Sequence, residues 1–275
     1  MEMILMTVER IKLEKEKETL LITFYSKVLE TQKKNPILVD EEAVKLMQRI
    51  EYDYSLLKVP KKTQITVCIR AKLMDDYVSE FLLKHPQGTV INMGCGLDTR
   101  FFRVDNGAVK WFDLDFPEVM ELKSKFFPET DRYRHISSSV TDWTWLEQIQ
   151  IEGKVMVVAE GLLMYVQENE VKILFEKLQH KLPGSQFVFD VFSSMTVNKI
   201  NRHPSIKKTG ANLYWGIDDA KEIERWGDNF AFIEERYFAE SKDVSKLSFG
   251  YRMGFKVAGL FPVANKAHRI VLYQL

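Results

Sequence analysis

The stretch Gly88–Pro117 reads GTVINMGCGLDTRFFRVDNGAVKWFDLDFP, and its pattern decides the fold class. It opens on a short apolar run, Thr89–Met93, whose β-branched residues predict a buried parallel strand. The run breaks at Gly94-Cys95-Gly96, where glycines allow a tight turn and a close approach of a ligand to the backbone. A second strand-like run, Val109–Phe116, carries acidic residues near its end. Strand, glycine turn and an acid about 20 residues later predict an α/β fold that holds a nucleoside.

From Thr89 onward, predicted strands and helices alternate, which is typical of a mostly parallel sheet. The predicted strands are Thr89–Met93, Val109–Asp115, His135–Val140, Lys154–Ala159, Gln186–Phe192, Phe230–Phe238 and Ala267–Tyr273. We expect the last of them to pair antiparallel at or near the sheet edge. The predicted helices in this region are Pro117–Phe127, Asp142–Ile149, Gln167–Leu182, Asp218–Trp226 and Ser245–Phe261. Right-handed crossovers would bring the carboxyl ends of the strands to one rim, lined by Gly94, Asp115, Val140, Glu160 and Asp190.

The domain organisation predicted from the sequence is one domain over residues 1–275. Residues 1–87 show helical spacing and are expected to form a helical cap on the sheet. Residues 88–192 form the predicted cofactor-binding core. Residues 193–216 mix polar, basic and aromatic side chains without periodicity, which predicts a lid over the site. Residues 217–275 are expected to complete the sheet.

Composition and charge exclude several classes of partner. Lysine plus arginine equals aspartate plus glutamate at 39 each, so no global basic field recruits nucleic acid or an anionic membrane. The two cysteines, Cys68 and Cys95, have no metal-ligand spacing and are too few for a secreted disulfide scaffold. No apolar run is long enough to cross a bilayer. We therefore expect a cytoplasmic protein without a metal site.

The chemistry of the glycine turn distinguishes between cofactors. A dinucleotide turn needs a third glycine three places after the second, where this sequence has Thr99. Asp98 would repel a pyrophosphate, whereas it is well placed to accept hydrogen bonds from an ammonium group. A glycine turn, an acid that can hold a ribose and a nearby anion for an amino group together predict S-adenosylmethionine as the ligand. The alternatives are a turn that only reverses the chain, and a nicotinamide-dependent oxidoreductase, which Thr99 and Asp98 disfavour.

Four separated motifs carry a resemblance to a known family. They are Ile69-Arg-Ala-Lys, Asn92-Met-Gly-Cys-Gly-Leu-Asp-Thr-Arg-Phe, Trp111-Phe-Asp-Leu-Asp-Phe-Pro-Glu-Val and Ala159-Glu-Gly-Leu-Leu-Met-Tyr. In this order they resemble the leucine carboxyl methyltransferase family, in particular its bacterial branch with O-methyltransferases of tetracenomycin-type polyketide pathways. The resemblance implies a Rossmann-like class I methyltransferase fold with a seven-stranded sheet. It also implies S-adenosylmethionine as cofactor and S-adenosylhomocysteine as product.

The resemblance further implies a cradle for the methionine end of the cofactor. Arg70 matches the arginine that pairs with the methionine carboxylate, because a guanidinium can bind a carboxylate through two parallel hydrogen bonds. Lys27 matches a second basic residue near the same carboxylate. Glu160 matches an acid near the amino group and the sulfonium. Asp98 is the ammonium partner predicted above from the turn.

For the nucleoside end, the resemblance implies that Gly94 and Gly96 form the turn against which the cofactor lies. Asp115 matches the acid that holds both ribose hydroxyls, with Asp113 as the second choice. Ser139 and Val140 match the pair that contacts adenine.

The catalytic residues and the acceptor are less defined by the sequence. Tyr165 is expected near the transferred methyl group or the acceptor, although a core tyrosine fits its position nearly as well. Asp190 is the candidate base if an alcohol or phenol is methylated, whereas a carboxylate acceptor needs no base. The resemblance implies that the acceptor is a small molecule or a peptide C-terminus, and the oligomeric state is open. The basic and aromatic residues of the predicted lid segment either meet an anionic acceptor or form a solvated loop whose aromatic side chains pack into the core: Arg202, His203, Lys207, Lys208, Tyr214 and Trp215. The alternative from another functional class is a non-catalytic cofactor-binding or interaction protein that has kept the fold and lost the methyl transfer.

Overall fold

The structure is a computed structural model that describes residues 9–10, 18–149, 151, 153–202, 212–227 and 229–275. Two short strands, β1 (Glu9–Arg10) and β2 (Ile50–Glu51), form a separate parallel pair. In the described part of the chain, the main sheet has seven strands: β3 (Thr89–Met93), β4 (Lys110–Asp115), β5 (Tyr133–Ser137), β6 (Val155–Ala159), β7 (Gln186–Phe192), β8 (Ala231–Tyr237) and β9 (His268–Gln274).

The strand order of the main sheet is β5-β4-β3-β6-β7-β9-β8. Strand β9 runs antiparallel to β7 and to β8, and the other pairs are parallel. The predicted mostly parallel sheet with a late antiparallel strand is confirmed, and β9 lies one position inside the edge. Because His268 pairs with Phe192, the beginning of β9 lies at the rim where β7 ends.

Helices surround the sheet, and several begin at residues that favour the start of a helix. The Asp40 carboxylate accepts from Ala43 N at 3.0 Å and caps the second helix. Pro60 and Pro117 stand at the start of two others. The α-helices of the described residues are α1 (Glu18–Thr31), α2 (Glu41–Arg49), α3 (Lys61–Lys84), α4 (Arg100–Val104), α5 (Pro117–Ser124), α6 (Glu168–Lys181), α7 (Ser194–Asn201), α8 (Phe249–Gly259) and α9 (Pro262–Asn265).

The sheet lies between two hydrophobic layers, because alternate residues of its strands face opposite sides. Val90 and Val158 belong to the layer that contains Phe24 of α1 and Ile69 of α3. The opposite layer contains Val157 of β6 and Phe189 of β7 together with Val171 and Phe175 of α6. The first three helices therefore cover one face of the sheet, and α6 covers the other.

Two predicted α-helices are instead 3-10 helices, at Trp143–Glu147 and Ala220–Trp226. In each case an aspartate accepts from the N–H two residues on, which starts a tight turn. The prediction for the third parallel strand, His135–Val140, was also shifted. Strand β5 ends at Ser137 because the chain then turns, with Asp142 N donating to Ser139 O at 3.0 Å.

The segment predicted as a lid, residues 193–216, begins with helix α7 and not with a loop, since the Ser193 side chain caps this helix. After the helix, His203, Lys207 and Lys208 lie outside the described residues. Trp215 is buried in the core, whereas Tyr214 is half-exposed. Tyr214 N donates to Met164 O at 2.7 Å, which places this residue beside the rim of the sheet.

Asp113 is the polar centre of β4 and is almost completely buried. Its carboxylate accepts from Asn92 Nδ2 at 2.9 Å and from Tyr133 Oη at 2.6 Å. It also accepts from Trp111 Nε1 at 2.9 Å and pairs with Lys123 Nζ at 2.7 Å. Asp113 is thus occupied by protein donors, which argues against its role as a ribose acid.

We expect Asp113→Ala to lower the free energy of unfolding by about 3–5 kcal/mol, because it leaves the Lys123 ammonium buried without its carboxylate. Urea unfolding followed by circular dichroism measures this change. The matched control is Asp105→Ala, which removes the more exposed pair with Arg132 and should cost at most about 1 kcal/mol. Equal losses in the two variants would contradict the structural role of Asp113.

Candidate active site

The site forms where the carboxyl ends of β3, β4, β6 and β7 meet. Gly94 and Gly96 follow β3 with φ of 61° and 51°, a backbone region that disfavours other residues. A Cβ atom at Gly94 would lie 2.8 Å from Leu162 Cδ1, so the turn packs closely against the loop after β6. Gly96 N donates to Asp115 Oδ2 at 2.7 Å, and Phe116 N donates to Asp115 Oδ1 at 2.7 Å. The turn therefore orients the carboxylate at the end of β4.

Two cavities open beside this turn. The first is bordered by residues of α1, α3, the turn and the loop after β6, including Lys27, Arg70, Asp98, Glu160 and Phe192. The second is bordered by residues that follow β4 and β5, including Asp115, Ser138, Ser139 and Val140. Gly94 and Tyr165 line both cavities. An elongated ligand can therefore extend from a charged end to a nucleoside end across Gly94.

Glu160 connects two arginines at the charged end. Arg70 Nε donates to Glu160 Oε1 at 3.0 Å, and Arg100 Nη2 donates to Glu160 Oε2. Burial alone would raise the pKa of Glu160, but Arg100 and Arg70 hold this pKa below its ordinary value. Glu160 is therefore ionised, and both of its oxygens are held by protein cations.

Asp98 has protein partners where the sequence predicted a ligand ammonium. Lys27 Nζ lies 2.5 Å from Asp98 Oδ1, and Arg100 Nη1 lies 2.9 Å from Asp98 Oδ2. Arg103 Nη2 adds a contact of 3.3 Å. Burial alone would raise the pKa of Asp98, but these three cations hold it well below its ordinary value. The structure thus uses Lys27 and Asp98 as partners of each other.

Asp190 lies fully buried beneath the Arg70 guanidinium. Arg70 Nη1 donates to Asp190 Oδ2 at 3.2 Å, and Gly161 N donates to Oδ1 at 2.5 Å. His268 Nε2 lies 2.7 Å from Asp190 Oδ2. Burial would raise the pKa of Asp190, but Arg70 and His268 lower it to about 2. So acidic a carboxylate is a poor proton acceptor at neutral pH, which argues against Asp190 itself as the base.

The remaining predicted residues surround the shared opening and the nucleoside end. Burial raises the pKa of Asp115, while the N–H groups of Gly96 and Phe116 oppose that shift. Ser139 Oγ and Thr141 Oγ1 lie 2.9 Å apart in the turn after β5. Tyr165 is 46% exposed and is not a core tyrosine.

Several residues of the charged end were missed in the sequence. Arg100 and Arg103 received no role in the sequence analysis, yet both contact Asp75, with Nε–carboxylate distances of 2.7 Å. Arg103 Nη1 also pairs with Asp40 Oδ2 at 2.6 Å. Gly161 and His268 were missed as well. The one local signal in the sequence was Gly161, which directly follows Glu160. The other partners lie far apart in the chain, so no local pattern connects them.

The fold and the two-ended site define an S-adenosylmethionine-dependent methyltransferase, and comparison with known proteins identifies its family. A model of the leucine carboxyl methyltransferase family matches residues 20–179, more than half of the chain. Tetracenomycin polyketide synthesis O-methyltransferase TcmP of Streptomyces glaucescens is 32% identical over 273 residues, covering 96% of this chain and 98% of that protein. The S-adenosyl-L-methionine-dependent methyltransferase dpfgK of Gibberella zeae is 26% identical, covering 90% and 91%.

A crystal structure of a DUF574 family protein from Streptomyces avermitilis shares the fold, with a TM-score of 0.60 at 12% identity. The alignment covers 95% of this chain and 99% of that one. The chain therefore belongs to the leucine carboxyl methyltransferase family, as the sequence motifs indicated, and S-adenosylmethionine is its methyl donor.

We expect Asp190→Asn to lower the free energy of unfolding at pH 7 by about 2 kcal/mol, from the pKa of about 2. The folded pKa lies below the unfolded value, so this stabilisation is complete above about pH 5 and is lost as the pH falls. About half of it should remain near pH 3. Urea unfolding at several pH values measures the difference between wild type and variant.

The exposed Asp131→Asn is the control and should stay within about 0.5 kcal/mol of wild type at each pH. A wild-type advantage over Asp190→Asn that is independent of pH would contradict the ionised, paired state of Asp190.

Proposed function

We propose that this methyltransferase transfers the methyl group of S-adenosylmethionine to an oxygen atom of a small molecule or a peptide C-terminus. The observation that carries the proposal is the pair of cavities that meet at Gly94 and Tyr165, with Arg70 in one and Asp115 in the other. Oxygen as the acceptor atom is supported by the name of the relative TcmP, an O-methyltransferase. When bound, the cofactor supplies the methyl group on a sulfonium.

The charged cavity fits the methionine end of this cofactor. Arg70 uses Nε and Nη1 on Glu160 and Asp190, and Nη2 has no partner among the residues that the structure describes. We assign Nη2 to the methionine carboxylate. Lys27, Asp98 and Glu160 border the same cavity and would set its charge. With Lys27 and Arg70 against the ionised Asp98 and Glu160, the charges of the lining balance, which suits a ligand end that carries both an ammonium and a carboxylate.

The second cavity fits the adenosine end. Asp115 retains lone pairs beyond the two backbone donors that it accepts from, so it can receive the two ribose hydroxyls. Ser139 and Val140 border this cavity and are assigned to adenine. Gly94 and Gly96 are assigned to the wall against which the cofactor lies.

Tyr165 is assigned to the boundary of the transferred methyl group, because it lines both cavities. Its ring can exclude water from the reacting atoms and align the acceptor oxygen, and alignment alone supplies much of the acceleration of a displacement. Asp190 is assigned a positioning role through Arg70.

The predicted organisation extends this proposal to the whole chain. Residues 1–275 are proposed as one domain, with the cap at 1–87, the core at 88–192, the lid at 193–216 and the rest completing the sheet. No helix within the described residues is long and apolar enough to cross a membrane. A cytoplasmic location stays a prediction.

Isothermal titration calorimetry tests the cofactor assignment. We expect binding of S-adenosylmethionine and S-adenosylhomocysteine and no binding of nicotinamide dinucleotides, since Asp98 and Thr99 replace the features of a pyrophosphate turn. Circular dichroism confirms that the sample is folded. A folded protein that binds neither S-adenosyl compound would contradict the proposal.

Two substitutions test which end of the cofactor lies in which cavity. We expect Arg70→Lys and Asp115→Asn each to weaken S-adenosylmethionine binding by about tenfold or more. Arg70→Lys loses the Nη2 contact to the methionine carboxylate, and Asp115→Asn replaces one of the two carboxylate oxygens that receive the ribose hydroxyls. With adenosine as the probe, Asp115→Asn should weaken binding while Arg70→Lys leaves it unchanged. Glu121→Ala, a surface change on α5, is the control. An equal loss of adenosine binding in both variants would contradict this orientation.

A further inference from the structure

Helices α8 and α9 form a face of the molecule that the assignments above leave without a role. Neither helix contains a buried residue. Phe249 at the start of α8 is 70% exposed, and Leu260 directly after it is 77% exposed. Proteins that act as monomers rarely expose so many large apolar side chains in one place, so we expect this face to contact a partner. The exposed apolar side chains of the face are Phe249, Met253, Val257, Leu260, Phe261 and Val263.

The spacing of these residues explains why α8 does not bury them. At 3.6 residues per turn, Phe249, Met253 and Val257 follow one another along one side of the helix. Tyr251 and Phe255 lie on the opposite side and pack against the hydrophobic core. Helix α8 is therefore apolar on two sides, and only the inner side packs against the residues that the structure describes.

The charges of this segment have one sign, although those of the whole chain balance. Residues 245–266 contain four basic residues and no aspartate or glutamate, whereas these two acids make up 39 of the 275 residues of the chain. The basic residues are Lys246, Arg252, Lys256 and Lys266. The segment therefore produces a local positive field, which the net charge of zero conceals.

The cations border the apolar side chains of α8 on both sides. Arg252 and Lys256 lie beside them on the helix itself, one turn apart. On the other side, an apolar groove between α8 and the start of α3 is bordered by Lys62, Gly250 and Gly254, among others. A Cβ atom at either glycine would meet nothing within 4 Å, so the groove is open. Apolar side chains between flanking cations are typical of a helix that lies in the interface of a bilayer.

The outward side of α8 has few groups for directional hydrogen bonds. Arg252 and Lys256 are the only polar side chains of the helix besides Tyr251, which packs inward. A specific protein interface normally includes about ten direct hydrogen bonds, whereas binding to lipid needs only apolar side chains and cations. A second copy of the chain is also a poor partner, because two such faces would bring like charges together.

We propose that α8 and α9 dock this protein on the surface of a membrane that contains anionic phospholipids. The apolar side chains enter the boundary between the headgroups and the acyl chains, and the flanking cations contact the lipid phosphates. Membrane docking goes beyond the proposed function and does not depend on it.

Helix α3 connects this face to the cofactor cavity. Lys62 and Ile65 border the groove beside α8, and Arg70 of the same helix borders the charged cavity. At a rise of 1.5 Å per residue, Lys62 and Arg70 are separated by roughly 12 Å along α3. Docking therefore holds the active site close to the membrane surface.

Cosedimentation of the full-length protein with lipid vesicles tests the proposal. Vesicles that mix phosphatidylglycerol with phosphatidylcholine are compared with vesicles of phosphatidylcholine alone. We expect about tenfold stronger binding to the anionic vesicles, and the difference should shrink in high salt because ions screen the attraction. No binding to the anionic vesicles, or equal binding to both kinds, would overturn the proposal.

Two substitutions test the two components of the face. Leu260→Glu places a charge among the apolar side chains, and Lys256→Glu reverses a charge beside them. We expect each to weaken binding to the anionic vesicles by about fivefold or more. The matched controls are Leu83→Glu at the far end of α3, where Leu83 is 82% exposed, and Lys177→Glu on the exposed side of α6. If each control loses as much binding as its matched variant, α8 and α9 are not the docking face.

Circular dichroism and calorimetric titration with S-adenosylmethionine accompany each variant. None of the substituted residues borders the two cavities of the site, so unchanged spectra and cofactor affinity with weakened vesicle binding support the docking face. Light scattering after size-exclusion chromatography tests the second copy as the partner. A dimer that Leu260→Glu dissociates would overturn the membrane assignment. A wild type that binds vesicles but not S-adenosylmethionine contradicts the proposed function alone.

Discussion

A network of buried ion pairs at the carboxyl rim of the sheet constrains the rest of the structure. Arg100 joins Asp75, Asp98 and Glu160, and Glu160 continues to Arg70. A buried charge without a partner costs several kcal/mol, so these groups must be brought together for the chain to fold. Helices α3 and α4, the glycine turn and the loop after β6 are thereby held in one arrangement.

The same network prepares the site for its cofactor. Each carboxylate of the charged cavity is kept ionised by arginine or lysine, so no large reorganisation of charge is needed when a cationic ligand enters. Arg70 uses two of its nitrogens on Glu160 and Asp190 and keeps one for the ligand. Strand β9 adds to this arrangement because its antiparallel direction returns His268 to the rim formed by the parallel strands.

Much of the fold was predictable because local signals agreed with tertiary packing. Strands β3 and β7 have the predicted bounds, since their continuous apolar runs are buried on both faces of a parallel sheet. The fold class and the glycine turn followed from the same patterns. The 3-10 helices and helix α7 were not predicted from the sequence, because hydrogen bonds to capping side chains determine the conformation of such short segments. Asp113 and Asp115 looked alike in sequence, and only their partners distinguish them.

The sequence by itself determined the α/β class, the turn at Gly94 and Gly96, and the family, because each motif that carries them is local in the chain. The role of Asp115 stays a prediction. Only the tertiary structure decided that Asp98 pairs with Lys27 and that Asp190 supports Arg70 and His268. Periodicity indicates which side chains are buried, but it does not indicate which buried charges meet. Those pairs join segments far apart in the chain, and the crossovers of the sheet bring them to one rim.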